Sequence, residues 1–180
     1  MANPELVGRL LAGVSNYQAR RGGGGNPELT RAELAGMLAG LSSIHMSFCY
    51  AKYAGSESAA LETKRAVLVR ARTIAKVQRW QFDGGRPTLE NMSSVVVYEA
   101  ITPPVCGKCQ GAGYVVSMGR GCAVCNGTGV LSLSGRIVAK NIEISEASYR
   151  KDWARRYADL LGFLQGLDAD IWRALRIADR

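Results

Sequence analysis

The chain has 180 residues, 47% of them apolar and 21% charged, the balance of an ordinary globular protein long enough to bury a core. No apolar run approaches the roughly 20 residues that a membrane-spanning helix needs, which excludes a helical membrane span. The formal net charge of +8 favours an acidic partner, and nucleic acid is the commonest one.

Leu6, Leu10, Leu11, Val14 and Tyr17 recur at helical spacing and predict a helix over 5–20. Arg20 and Arg21 suit its C-terminus, where the macrodipole favours positive charge. Gly22 to Gly25 then read as a linker. A phosphate loop is disfavoured there, because no strand precedes and no Lys-Ser or Lys-Thr follows. Asn26-Pro-Glu-Leu29 echoes Asn3-Pro-Glu-Leu6 without a third copy, which suggests two similar helix starts rather than a repeat array. Thr30 and Glu33 form a capping box. It opens a long helix to about Tyr53 with Leu34, Leu38, Leu41 and Ile44 to Phe48 as its apolar face. His45 and Cys49 lie one turn apart there. Two ligands are too few for a metal, so both are read as core or half-buried residues.

The next helix is expected from about Ser58 to Phe82, with Leu61, Val67, Leu68, Ile74 and Val77 inside. Lys64, Arg65, Arg70, Arg72, Lys76 and Arg79 make its other faces strongly basic. Two readings stand: a solvated face, or a face turned to phosphates or a polymerase. After the break at Asp83-Gly-Gly-Arg-Pro87, Thr88 caps a helix over 88–101 that buries Leu89, Val96, Val97 and Tyr98. The β-branched run Val95-Val96-Val97 keeps a strand in competition. Pro103-Pro104 ends the element.

Cys106-Gly-Lys-Cys109-Gln-Gly-Ala-Gly113 and Cys122-Ala-Val-Cys125-Asn-Gly-Thr-Gly129 are one unit, C-x-x-C-x-G-x-G, written twice. Two residues between cysteines let a turn aim both thiolates at one ion, and two such turns complete a tetrahedral sulfur shell that suits Zn²⁺. The glycines supply the positive φ and close approach of paired knuckles. Cys106, Cys109, Cys122 and Cys125 leave no open position, so one structural, non-catalytic zinc is expected. Two disulfides are the alternative, but the expected setting is a reducing cytoplasm: Met1-Ala-Asn-Pro-Glu5 shows no secretory pattern, and the sequons at Asn91 and Asn126 read as chance. A redox dithiol has no need of a second copy.

Beyond Gly129, a helix over 132–142 places Leu133, Ile137 and Val138 inside, with Arg136 and Lys140 outside. Ser145 caps another that carries Ala147, Tyr149, Trp153, Tyr157, Leu160, Leu161 and Leu164 and closes at Gly166. Asp168 caps a last helix over 169–178. The two helices meeting across Glu143–Ser145 are either an antiparallel pair in a bundle or a helix-turn-helix. In the second case Ala139 is the small packed residue. Ser145, Glu146, Ser148, Arg150 and Lys151 then face a major groove, and Arg155 and Arg156 lie near phosphates.

Ser134-Gly-Arg136-x-x-Ala139, Ile144-Ser145, Trp153-x-Arg155 and Tyr157-x-x-Leu160-Leu161 follow the doubled cysteine unit in that order. This arrangement resembles the lambda-type Q antitermination proteins of phages and prophages over about 103–165, and only in helix content before that. The chain departs from the family in reading Ser-Gly-Arg-Ile and in its shorter connection between the cysteine pairs. The resemblance implies a cytoplasmic, phage- or prophage-encoded factor without enzyme activity. Such a factor binds promoter-proximal DNA, engages bacterial RNA polymerase with its sigma factor, and travels with it to suppress terminators, with nascent RNA nearby. Zinc would sit on Cys106, Cys109, Cys122 and Cys125. DNA contact would fall on the Ser145–Arg156 helix helped by Arg136 and Lys140, leaving the basic 64–79 helix for polymerase or RNA. No small-molecule substrate is implied. Rival readings are a regulator acting only at initiation and a DnaJ-type zinc co-chaperone module; against the latter, no third or fourth cysteine unit and no His-Pro-Asp is present. The expected architecture is mostly α. It comprises a helical region over 1–102, an inserted zinc-binding module of four cysteines over 103–130, and a C-terminal helical region over 131–180 with the helix-turn-helix-like segment.

Overall fold

The protein is described by a computed structural model that covers residues 39–80, 86–115 and 119–177. The helix expected over 5–20, the glycine linker and the Thr30–Glu33 capping box lie outside those residues. The described chain is mostly helical with a small two-stranded sheet. It divides into two compact units, residues 1–66 with 163–180 and residues 67–162.

Helix α1 (Ser43–Ala54) starts later than its pattern suggests, because Ser42 adopts an extended conformation (φ −71°, ψ 164°) that no continuous helix allows. Gly55 ends α1 at φ 65°, and its N–H and that of Ser56 both return to the Tyr50 carbonyl. Helix α2 (Glu57–Val77) opens on Ser56, whose hydroxyl accepts the Ala59 N–H at 3.3 Å. Its buried row is Ala59, Thr63, Val67, Ala71 and Ala75, one residue every fourth position. Leu61 and Val77, expected inside, lie 47% and 77% exposed, since small side chains rather than large ones line the packed row. Arg79 takes φ 51°, and α2 ends at Val77, five residues before the end expected at Phe82.

Helix α3 (Arg86–Ile101) settles the strand question for Val95-Val96-Val97. Leu89, Met92, Ser93, Val96 and Val97 are buried at helical spacing, and tertiary burial overrides β-propensity. Tyr98 is 60% exposed rather than buried. Strands β1 (Tyr114–Val115) and β2 (Arg120–Gly121) pair antiparallel, Tyr114 opposite Gly121. Helix α4 (Gly135–Asn141) follows, capped by the Ser134 hydroxyl. Val138 and Ala139 face inward there, while Ile137, expected inside, is 47% exposed. Helix α5 (Glu146–Ser148), a π-helical turn (Tyr149–Trp153) and helix α6 (Ala154–Ile177) then run on without a break.

The break expected at Gly166 is absent. A mid-helix glycine costs about 1 kcal/mol against alanine, and α6 offsets it by burying Leu164, Leu167 and Ile171 on one face. Asp168 is accordingly no cap. Its carboxylate accepts from Lys52 at 2.8 Å and from the Tyr53 hydroxyl at 2.6 Å, and Tyr53 in turn accepts from the Trp172 indole N–H at 2.8 Å. Cys49 is fully buried beside this network. Burial, and then the Asp168 charge, push its thiol up to about 11. His45 has Nδ1 2.8 Å from the Ser42 hydroxyl and Nε2 3.5 Å from Asp170. Both residues belong to the packing of this unit.

Candidate metal centre and nucleic-acid interface

The cysteine module leaves the helical core through an antiparallel pair of arms. Val105 bridges Val130, the Leu131 N–H donates to the Pro104 carbonyl at 2.8 Å, and the Cys106 N–H donates to Gly129 at 2.9 Å. Inside the module the two sequence units adopt one backbone path. Gln110 and Asn126 both take φ 51°, Gly111 and Gly127 take 89° and 83°, and Gly113 and Gly129 take 69° and 80°. The Cys122 N–H donates to Gly113 at 2.8 Å, mirroring the bond from Cys106 to Gly129. The second glycine of each unit is required by contact as well as by φ. A Cβ on Gly113 would fall on the Gly127 carbonyl, and one on Gly129 on the Gly111 carbonyl.

This reciprocal interlock brings four buried thiols together. All four sulfurs lie within 4.8 Å of one another, with Cys106–Cys122 at 3.9 Å and Cys109–Cys125 at 3.7 Å. No disulfide joins them. The set is therefore one that can hold a single metal ion. The Gly113 N–H donates to Cys109 Sγ at 3.3 Å and the Gly129 N–H to Cys125 Sγ at 3.2 Å, bonds that favour the thiolate form a metal requires. Burial is the largest influence on both thiols and raises them. Cys109 is pushed up to about 11, whereas the Gly129 N–H and the neighbouring thiols bring Cys125 down to about 6.

The turn between α4 and α5 has no glycine, and Glu143 does that work at φ 62°. The Glu143 N–H returns to Lys140 at 3.3 Å and the Ile144 N–H to Ala139 at 3.1 Å. Ala139 is 2% exposed and Ile142 is fully buried. α4 packs against α5 and the π-helical turn. Arg136 and Lys140 are exposed on α4, and Arg150, Lys151 and Arg155 are exposed after the turn. Ser145 uses its hydroxyl to cap the Ser148 N–H at 3.1 Å. Glu146 and Arg150 bond to each other.

Arg156 is held differently from Arg155. Its guanidinium is stacked 4.7 Å from both the Trp80 and Trp153 rings, which stand 6.1 Å apart. Burial lowers its pKa, with the Asp152 charge acting the other way. It is half-buried and takes part in the packing of the two indoles. Along α2, Arg65, Arg72 and Lys76 are exposed, as is Arg79 beyond its end, while Lys64 is half-buried; Arg72 is bonded to Glu90 at 3.0 Å, and Arg70 has a partner as well.

Sequence reading missed Glu99. It is 4% exposed; Oε1 accepts the Leu133 N–H at 3.1 Å and Oε2 accepts the Tyr157 hydroxyl at 2.5 Å. Burial and then this carboxylate hold the Tyr157 and Tyr149 hydroxyls above the ordinary tyrosine value of 10. A glutamate among Val95, Val96, Val97 and Tyr98 is the one signal that marked it.

Comparison with known protein families found no family model that matches the chain, and comparison with curated proteins found no relative.

Proposed function

We propose that the chain is a zinc-stapled transcription antitermination factor of the Q type, acting in the bacterial cytoplasm and encoded by a phage or prophage. One observation carries the reading. The four-cysteine module stands directly between α3 and a helix-turn-helix-like pair whose outward side chains include Arg136, Lys140, Arg150, Lys151 and Arg155. The resemblance over 103–165 links that order of parts to promoter-proximal DNA binding and to RNA polymerase.

Zinc is the metal the donor set favours. Four thiolates at a Zn–S length of about 2.3 Å form a tetrahedron with edges of about 3.8 Å, and the Cys106–Cys122 and Cys109–Cys125 sulfur pairs are 3.9 and 3.7 Å apart. With no ligand position open, the ion supplies structure and no chemistry. The early turns after Ser145 read the DNA element while Arg155 and the α4 cations meet phosphates. The factor then joins polymerase paused with its sigma factor and narrows the RNA exit channel, so that terminator hairpins fail to form. The exposed cations of α2 are available to polymerase or nascent RNA.

Transcript sequencing in the native host, with the gene switched on and off, tests this. Reads should extend past terminators downstream of one promoter while the count of 5′ ends there holds steady. A change in 5′ ends with terminators intact would make the protein an initiation regulator instead.

A further inference from the structure

Both ends of the proposed DNA-reading segment converge on one buried carboxylate. Leu133, whose N–H donates to Glu99, immediately precedes Ser134, the cap of α4. Tyr157, whose hydroxyl donates to Glu99, lies one turn beyond the π-helical segment, near the start of α6. Between them, the Tyr149 ring meets Tyr157 edge to face, centroids 6.3 Å apart at 69°. The same Tyr149 ring covers Gly135, where a Cβ would stand 2.9 Å from Cε1. Glu99 itself belongs to α3, outside the segment it holds.

A buried carboxylate is a poor source of net stability, because its desolvation offsets most of what its hydrogen bonds return. It is a good source of geometry. Apolar contacts tolerate rotation and sliding, whereas two charge-assisted bonds to two different elements fix both at once. We propose that Glu99 is the positioning residue of the DNA-reading segment, setting the angle between α4 and the helix after the turn so that both fit one groove. This rests on the DNA-binding reading above. It adds a residue that touches no nucleic acid yet determines specificity.

The test uses the full metal-loaded chain. A double-stranded fragment is enriched from native-host genomic DNA on the wild-type protein, and affinity for it is compared with affinity for poly(dI-dC). Non-specific binding depends on exposed cations and salt; specific binding depends on the fixed angle. Glu99→Gln keeps the shape but turns an amide N–H₂ toward one of two donors. It should weaken specific binding by about tenfold or more, with poly(dI-dC) affinity, its salt slope and metal per chain unchanged. Tyr157→Phe removes one of the two bonds, keeps the ring, and should shift the same ratio by less. Should Glu99→Gln fail to fold, judged by circular dichroism and metal content, Tyr157→Phe decides alone.

An unchanged ratio in the folded variants overturns the proposal. So does a proportional fall in both affinities, which is what mere loss of folded protein produces. If the wild-type chain enriches no fragment over poly(dI-dC), the DNA-reading assignment fails first and takes the inference with it.

Discussion

The interlocked glycines of the cysteine module can be separated by substituting two neighbours. Gly127 and Gly129 have nearly the same φ, 83° and 80°, so alanine meets about the same backbone penalty at each, roughly 1–2 kcal/mol. Part of that is returned through a stiffer unfolded chain, about 0.4–1 kcal/mol. Their surroundings differ. A Cβ on Gly127 meets nothing nearer than the Gly113 carbonyl oxygen at 3.9 Å. A Cβ on Gly129 would clash with the Gly111 carbonyl oxygen and stand 2.9 Å from its carbon. Backbone cannot rotate aside as a side chain can, and overpacking of this kind adds about 1–3 kcal/mol. Gly127→Ala should therefore cost about 1 kcal/mol and Gly129→Ala about 2–4 kcal/mol. Metal binding is folding free energy in such a module. The metal dissociation constant, read by competition with a chromogenic chelator, should thus rise about tenfold or less for Gly127→Ala and about thirtyfold or more for Gly129→Ala. Equal losses at the two positions would refute the interlock and leave φ as the whole role of these glycines.

Elemental analysis of reduced protein should give one zinc per chain, and Cys106→Ser or Cys125→Ser should bring that near zero and unfold 103–130, since such sites supply on the order of 10 kcal/mol. Arg150→Ala and Lys151→Ala should weaken DNA binding in a gel shift at unchanged melting temperature, and reversing the charge at Arg155 should reduce the salt slope by about one phosphate contact. Arg156→Ala should behave oppositely and lower the melting temperature, because stacking on two indoles contributes about 1–2 kcal/mol. Tyr157 is held above its unfolded pKa, so the folded state binds the extra proton; the stability it contributes is present below pH 10 and is lost as the pH rises further. Urea midpoints from pH 8 to 11 should fall less steeply for Tyr157→Phe than for wild type.

The four-cysteine cluster was legible because its code is local. C-x-x-C-x-G-x-G fixes its own turn, and doubling it at matched offsets fixes the partner, so the convergence of the four thiols follows from spacing alone. Helix content was legible for the same reason. What escaped depends on which side of a helix meets which neighbour. Leu61 and Val77 are apolar and lie outward because small residues such as Ala71 and Ala75 take the packed row of α2, while Tyr98 and Ile137 lie outward beside the buried Val97 and Val138. Gly166 looks like a stop and is bridged by burial on either side of it. Glu143 occupies a left-handed turn position, which its residue type does not announce. Arg156 looks identical to Arg155 in sequence, and only the indoles of Trp80, 76 residues away, and Trp153 distinguish them.

The module's composition explains why so much hangs on four thiols. Its core cluster is Cys106, Cys109, Cys122 and Cys125, with Val115 and Leu131, among the described residues, packed partly against it. Val105, Tyr114, Val124 and Val130 are all more than a third exposed. A segment of this size cannot hold itself together by apolar burial, so an ion held on the four sulfurs would take the place of a core. That segment is also the covalent path from α3 to α4. The arms that the knuckles close, Pro104 to Leu131 and Cys106 to Gly129, deliver Leu133 to Glu99 two residues later. A metal held by residues 106–125 would thus act on the start of α4 through the backbone hydrogen bonds of these arms.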